Sequence, residues 1–462
     1  MSQTKTNILF ILMDDLGWRD LACYGSTFYE TPVLDRLAAQ GMLFTDAYAA
    51  CPVCSPTRAS LLTGKYPATV GVTDYIDWSG SWHPCRGRLV DVPYIKHLPK
   101  EEFNLARALG EAGYQTWHIG KWHLGGPEFH PDQQGFDVNI GGYQAGLPEG
   151  GYFAPWKIPT LPDTAAPGTY LTDHLTDEAI RLIRERDPDR PYFLHFAHYA
   201  VHTPIQAPEP LVEKYREKAK RLGLDTVDAL EIGEVFPTIQ KRGQRVVRRR
   251  IQSDPTYAAM IESVDTNIGR LLDEVDESTL VIFTSDNGGL ATAEGSPTTN
   301  RPLAEGKGWM YEGGTREPLI VRWPGKIASG EVSGVTVTSP DFYPTLLEAA
   351  GLPLRPEQHV DGVSFLPVLQ GEADFDRGPI YWHYPHYGNQ GGTPGSSIRD
   401  GDWKLIEFFE DGRLELYNLR NDISEEHDQA EAEPERTARL YGKLTAWRGE
   451  IEAQIPQPNP EF

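Results

Sequence analysis

Cysteine is scarce in this chain: four in 462 residues, at positions 23, 51, 54 and 85. That is too few to staple a protein of this size, and their spacing is not that of paired zinc ligands. Basic charge is also short, 43 Lys and Arg against 66 Asp and Glu, which leaves a formal net charge of −23. Such a balance argues against a nucleic-acid binder and gives no attraction to an anionic membrane. An anionic substrate would need a local positive site set into an unfavourable general field. The sequence has no apolar stretch long enough to cross a bilayer, no opening charged segment with an apolar core and a small-residue cleavage site, and no internal repeat. As written, the chain is expected to be cytoplasmic, or periplasmic or secreted if a leader precedes it. Hydrophobic residues make up 39% of the sequence, enough over this length for a substantial core, so disorder is not expected.

The hydrophobic pattern predicts strands over 7–13, 114–119, 192–197 and 279–284. It predicts helices over 31–40, 104–112, 172–186 and 256–274, and a further helix beginning between Ser60 and Leu62. Thr31-Pro32 reads as a cap with proline at the first helical position, and Gly41 closes that helix. Each predicted strand runs into a loop of chemically capable residues. The first ends at Asp14-Asp15, the second at Gly120-Lys121-Trp122-His123-Leu124-Gly125, the third ahead of His198 and His202, and the fourth at Asp286-Asn287-Gly288-Gly289. Strand, loop and helix in alternation predict an α/β fold with a largely parallel sheet and ligands at the carboxyl ends of its strands.

Residues 211–250 form a charged insertion ending in the basic run 245–250, read either as a solvated helix face or as a positive rim guiding a polyanion. After Gly371 the short aromatic segments 381–384, 403–409 and 414–417 predict a small antiparallel sheet. An amphipathic helix over 430–454 and a tail from Pro456 follow. The expected division is a large domain over 1–370 and a C-terminal subdomain over 371–462.

Cys54 opens the run Cys54-Ser55-Pro56-Thr57-Arg58, followed by Leu62-Thr63-Gly64. As a plain residue it is a small buried hydrophobe; with Cys51 it forms a C-x-x-C, for which no thioredoxin-like context is present. Taken with the Lys121 segment, the Asp286 segment, His202-Thr203-Pro204 and Gly306-Lys307-Gly308 ahead of Tyr311-Glu312-Gly313-Gly314, it resembles the signatures of formylglycine-dependent sulfatases of the type I, Cys-type class. The resemblance covers five separated motifs in family order between residue 7 and about 370, and the remainder is similar to the smaller sulfatase C-terminal domain.

That resemblance implies an alkaline-phosphatase-like α/β fold, a bound Ca2+, and hydrolysis of sulfate esters through a covalent sulfo-enzyme intermediate. It also implies a formylglycine made from Cys54 by a formylglycine-generating enzyme that reads Cys54, Pro56 and Arg58. One hydroxyl of the hydrated aldehyde attacks sulfur and the other later expels the sulfate. By the same resemblance Asp14, Asp15, Asp286, Asn287 and an oxygen from modified Cys54 hold the metal, hard oxygen donors suited to calcium. As isolated pairs those residues would read as caps or turn formers. Lys121 and Lys307 would grip sulfate oxygens, and Arg58 would hold the hydrated aldehyde, fixed positive charge being what a departing sulfate ester needs. His123 would help return the diol to aldehyde, and His202 would protonate the leaving alcohol. His195 and His198 lie off the motifs and take no role.

For substrate, the resemblance is nearest to bacterial carbohydrate sulfatases and arylsulfatases, and implies sulfated galactose or N-acetylgalactosamine units of a glycan. Trp78, Trp82, His383 and His386 are candidates to stack on or hydrogen-bond a sugar, and Arg399 to pair with a second sulfate or a uronate. Packing between the two domains is the other reading of these residues. Two further functions stay open at this stage: a phosphoester or phosphonate hydrolase on the same scaffold, and a non-catalytic binder of sulfated glycans. Nucleic acid and membrane are not expected as partners, and the oligomeric state is open.

Overall fold

The computed structural model describes residues 6–161, 165–372 and 375–462. Its centre is strand β1 (Ile8–Met13), whose six apolar residues are all buried. Leu9, Ile11 and Met13 face one hydrophobic cluster, and Ile8, Phe10 and Leu12 face a second on the other side of the sheet. Alternating side chains of a strand point to opposite faces, so a run without polar interruptions is what a doubly covered strand requires.

Eight more strands complete the sheet: β2 (Met42–Tyr48), β3 (Gln115–Gly120), β4 (Val138–Ile140), β5 (Tyr192–Ala197), β6 (Leu280–Ser285), β7 (Arg316–Arg322), β8 (Glu331–Ser333) and β9 (Val337–Thr338). Their order is β8-β2-β7-β6-β1-β5-β3-β4, with β9 beside β2. Every pairing is parallel except those of β7, which runs antiparallel to β2 and β6. One face is covered by α1 (Pro32–Ala39), α4 (Leu171–Glu185), α5 (Glu209–Arg221) and α6 (Pro255–Leu272). The other is covered by α2 (Cys54–Thr63), α3 (Leu105–Glu111) and α7 (Phe342–Ala349). This is the expected large, mostly parallel sheet between helices.

Register brings the functional loops together. Leu12 lies opposite Ala197, Met13 opposite Ser285, and Gly120 opposite Ala197. Four strands therefore end at one level, and the residues that follow them emerge along one edge. Gly120 is required there: its φ is 97°, and a Cβ would lie 1.9 Å from the Ala197 carbonyl oxygen.

The C-terminal sheet is antiparallel, in the order β10 (Ile380–Tyr384), β11 (Gly395–Asp400), β12 (Trp403–Phe408) and β13 (Leu414–Asn418). One face receives α8 (Pro434–Glu450) through Leu440, Leu444 and Trp447, with Tyr381 stacked on Trp447 at 4.7 Å. The other packs Trp382, Tyr384 and Ile406 against Tyr48, Cys51 and Met310 beside the large sheet.

Three expectations are corrected. The basic run 245–250 is neither a helix face nor a free positive rim: Arg245–Arg249 forms a hairpin with Leu230–Val235. Three of its four arginines face acids: Arg248 meets Glu234 and Glu305, Arg249 meets Asp254 and Arg250 meets Glu231. The segment after Pro456 is more than a tail, because Gln457–Pro458 pairs with Leu89–Val90. The helix after the Cys54 loop starts at Cys54 itself, with Pro56 in its first turn, where proline gives up no helical hydrogen bond.

Candidate active site

The site is assembled from three strand ends, a loop and a helix start. Asp14 and Asp15 leave β1, Lys121 leaves β3, and Asp286 and Asn287 leave β6. Lys307 comes from the loop ahead of β7, and Cys54 is the first residue of α2, a helix buried along its whole length. Val53, at its N-cap, supplies no side-chain hydrogen bond. The first backbone N–H groups of a helix have no partner within it, so the turn at Cys54 favours an anion.

Three buried acids are matched by three buried bases. Lys121 Nζ lies 2.9 and 2.8 Å from the two oxygens of Asp14. Lys307 Nζ lies 2.8 and 2.9 Å from those of Asp15. Arg58 donates from Nε to Asp286 at 2.8 Å and from a terminal nitrogen to the Lys121 carbonyl at 2.9 Å. Breaking one side of such a pair leaves a charge in a dry interior, at a cost of about 3–5 kcal/mol. Burial raises the Asp14 carboxyl despite Lys121. At Asp15 burial pushes the same way, but Lys307, His202 and Lys121 overcome it and hold the group well below the ordinary carboxylate range. Asp15 also adopts φ 61°, a conformation that side chains rarely take.

The donor set fits a hard cation. Asn287 donates through Nδ2 to Asp15 at 2.8 Å, which leaves its Oδ1 buried without a partner. One ligand atom each from Asp14, Asp15, Cys54 and His202 lie within 4.8 Å of one another. Two of these are carboxylates, and with the free Oδ1 of Asn287 they are the kind of hard oxygen donor that suits calcium.

The two histidines expected to carry protons are oriented by main-chain carbonyls. His123 lies at φ 58° with Nε2 2.9 Å from the Ile76 carbonyl oxygen. A carbonyl only accepts, so Nε2 carries the hydrogen and Nδ1, buried without a partner, presents its lone pair. Burial, followed by the charge of Lys121, holds His123 well below the usual histidine range. His202 directs Nδ1 to the Thr203 carbonyl at 2.9 Å and leaves Nε2 3.7 Å from Asp15. Burial pushes the Cys54 thiol up to about 12, against the pull of Lys121 and Lys307. An unmodified thiol here stays protonated near neutrality and is a poor nucleophile.

These groups open into a cavity of about 300 Å³ whose lining includes Cys54, His123, His202 and Lys307. Its outer walls include Tyr75, Trp78, Gly146 and Gln390. A Cβ on Gly146 would lie 2.5 Å from the His123 ring, so glycine makes room for the imidazole.

Of the sugar-contact candidates only Trp78 lines this cavity. His383 is buried between Ser396 and the Gln454 carbonyl. His386 is buried against Asp91 and Thr73. Arg399 is taken up by Asp46 and Tyr48, and Trp82 packs beside Cys85, Leu89 and Tyr387. These four hold the structure together. Tyr75, Glu149, Glu294 and Gln390 went unread because they lie in loops without motif or periodicity.

Residues 6–352 match the family model described as sulfatase, and residues 305–448 match that of the N-sulphoglucosamine sulphohydrolase C-terminal region. The dog N-acetylgalactosamine-6-sulfatase is 34% identical over 82% of this chain and 68% of its own length. A sulfatase of Formosa agariphila is 32% identical, over 96% and 88%. Among solved structures, Ps i-CgsB in complex with k-i-k-neocarrahexaose superposes with a TM-score of 0.78 at 27% identity, covering 99% of this chain and 96% of that one. Strand order, site geometry and these likenesses agree: the chain belongs to the sulfatase family, with the alkaline-phosphatase-like fold, and is a sulfuric ester hydrolase.

Proposed function

We propose that the protein hydrolyses sulfate esters of sugars, on galactose or N-acetylgalactosamine units, with a formylglycine derived from Cys54 and a bound Ca2+. The observation that carries this reading is the position of Cys54 at the start of a buried helix, in one cavity with Lys307, His123 and His202. The names of the relatives support the sugar: N-acetylgalactosamine-6-sulfatase in the dog and a carrahexaose complex of the solved structure.

Asp14, Asp15, Asp286 and Asn287 would hold the calcium, which supplies positive charge for the sulfate oxygens. The formylglycine, when formed, supplies a geminal pair of hydroxyls as nucleophile. Lys121 and Lys307 bind sulfate oxygens alongside the first turn of α2, where negative charge is already favoured. Arg58, anchored on Asp286 and the Lys121 carbonyl, fixes the orientation of residue 54. His123 takes a proton at Nδ1, the nitrogen that Ile76 leaves free. His202 delivers one from Nε2 to the leaving alcohol, its other nitrogen held by Thr203.

The test is mass spectrometry of the Cys54 peptide after co-expression with a formylglycine-generating enzyme, followed by assays on 6-sulfated galactose and N-acetylgalactosamine, an aryl sulfate and an aryl phosphate. Conversion of Cys54 with sulfate release from the sugars supports the proposal. An untouched Cys54, or preference for the phosphate, overturns it in favour of glycan binding or phosphoester hydrolysis respectively.

A further inference from the structure

The charges around the cavity change sign from its floor to its mouth. The floor has Lys307, with Lys121 behind it paired to Asp14. The outer lining has three carboxylates, Asp77, Glu149 and Glu294, and no Lys or Arg apart from Lys307. None of the three is in a salt bridge among the described residues. Asp77 is occupied by Ser79 and the backbone N–H groups of Trp82 and His83. Glu149 and Glu294 are exposed.

Glu294 is also tied into the wall. It accepts from Gln390 Nε2 at 3.1 Å and from the Thr203 hydroxyl at 3.3 Å. Gln390 is 2% exposed, with its Oε1 turned toward Gly308, so its amide holds Glu294 in place at the cavity mouth.

One further cation stands beside the rim, Lys241, close enough to feel the charge of Glu294 but engaged elsewhere. Lys241 donates to the Asn389 carbonyl and lies over the rings of Phe236 and Trp82 at 4.4 and 5.3 Å. Of the neighbouring arginines, Arg248 is paired with Glu234 and Glu305, Arg250 with Glu231 and Arg249 with Asp254, while Arg245 donates to the Gly233 carbonyl.

We propose, resting on the sulfatase reading of this site, that the leaving-group pocket selects a sugar whose scissile sulfate is its only anionic group at the mouth. Glu149 and Glu294 turn away a neighbouring second sulfate or uronate, and Gln390 and Thr203 hold the Glu294 carboxylate at the mouth. Lys307, at the floor, is the one Lys or Arg in the cavity lining, so a second anion of the substrate would find no fixed positive partner at the mouth. A second would stand against like charge in a chain that is acidic overall.

The experiment compares kcat/KM for N-acetylgalactosamine 6-sulfate, its 4-O-methyl ether and the 4,6-disulfate, on protein whose Cys54 conversion has been established. The methyl ether separates bulk from charge. The disulfate should fall below the methyl ether by about tenfold at low ionic strength, with the gap narrowing as salt is added. The Glu149→Gln/Glu294→Gln double variant should shrink the same ratio severalfold. Equal or better turnover of the disulfate, or a ratio unmoved by salt and by both substitutions, overturns the proposal. If the converted chain cleaves no sulfate ester, aryl sulfate included, the sulfatase reading fails instead. Calorimetric binding of the same three sugars to the Cys54→Ala chain then decides the charge preference: weaker disulfate binding upholds it, and tighter or equal binding overturns it.

Discussion

His123 Nε2 lies 2.9 Å from the carbonyl oxygen of Ile76, a residue that itself lines the cavity. This bond selects the tautomer of His123 and turns its basic nitrogen away from the backbone. It also ties the loop carrying Trp78 to the imidazole of His123. His123→Ala should slow steady-state turnover by about 10²–10⁴. If His123 acts in the second half of the reaction, as proposed, the variant should still release a first, stoichiometric burst of alcohol from an aryl sulfate. Rapid-mixing kinetics measure this; loss of the burst would assign His123 to the first half.

His202 is expected to show the opposite pattern. With Nε2 as the acid, His202→Ala should reduce hydrolysis of a sugar sulfate by about 10²–10³ while an activated aryl sulfate loses far less. Equal losses on the two substrates, read as kcat/KM, would remove His202 from the acid role.

Calcium should stabilise the fold. Asp14, Asp15 and Asp286 are buried together, and a ligand bound only by the folded state at a hundredfold excess over its Kd adds about 2.7 kcal/mol. Thermal melts with EDTA and with added calcium should therefore differ by several degrees. Asn287→Ala should reduce the difference, since Asn287 Oδ1 is the acceptor left without a protein partner.

The loop that forms the cavity wall is fastened by a buried histidine. His83 lies between Asp91 at 2.9 Å and Asp74 at 3.2 Å, and Asp91 also holds His386. Burial alone would lower His83, but Asp74 and Asp91 raise it above its ordinary value. A histidine raised on folding gives stability that is full below its ordinary pKa and is lost as pH rises through the folded value. Melting temperature should accordingly fall on the alkaline side of about pH 6.5, the unperturbed histidine value. His83→Gln should flatten that slope. Asp91→Ala should cost about 3–5 kcal/mol, because it takes from His83 and His386 the buried partner they share and leaves them Asp74 alone.

Some of this architecture was legible without coordinates. The apolar run at residues 7–13 has no polar residue to place on a wet face, so only a doubly covered strand suits it, and the acids after it must then emerge at a strand end. The same reasoning placed Lys121, His202 and Asp286. Strand β11 was not legible: Gly-Ser-Ser-Ile-Arg-Asp contains one apolar side chain, Ile398, and is buried only because neighbouring strands enclose it.

What the sequence by itself determined is the composition of the floor: which acids, bases and histidines belong to it, and that Asp14, Lys121, His202 and Asp286 follow strands of one sheet. Only the tertiary structure decided which polar residues are free to meet a ligand. His383, His386 and Arg399 have the right chemistry for a sugar site, yet each has its hydrogen-bonding groups engaged inside the fold. Glu149, Glu294 and Gln390 come from three unrelated loops, 145 and 96 residues apart in sequence, and line one cavity. Local pattern reports a residue's type and the face it occupies; whether its polar atoms are already satisfied depends on contacts made across the whole chain.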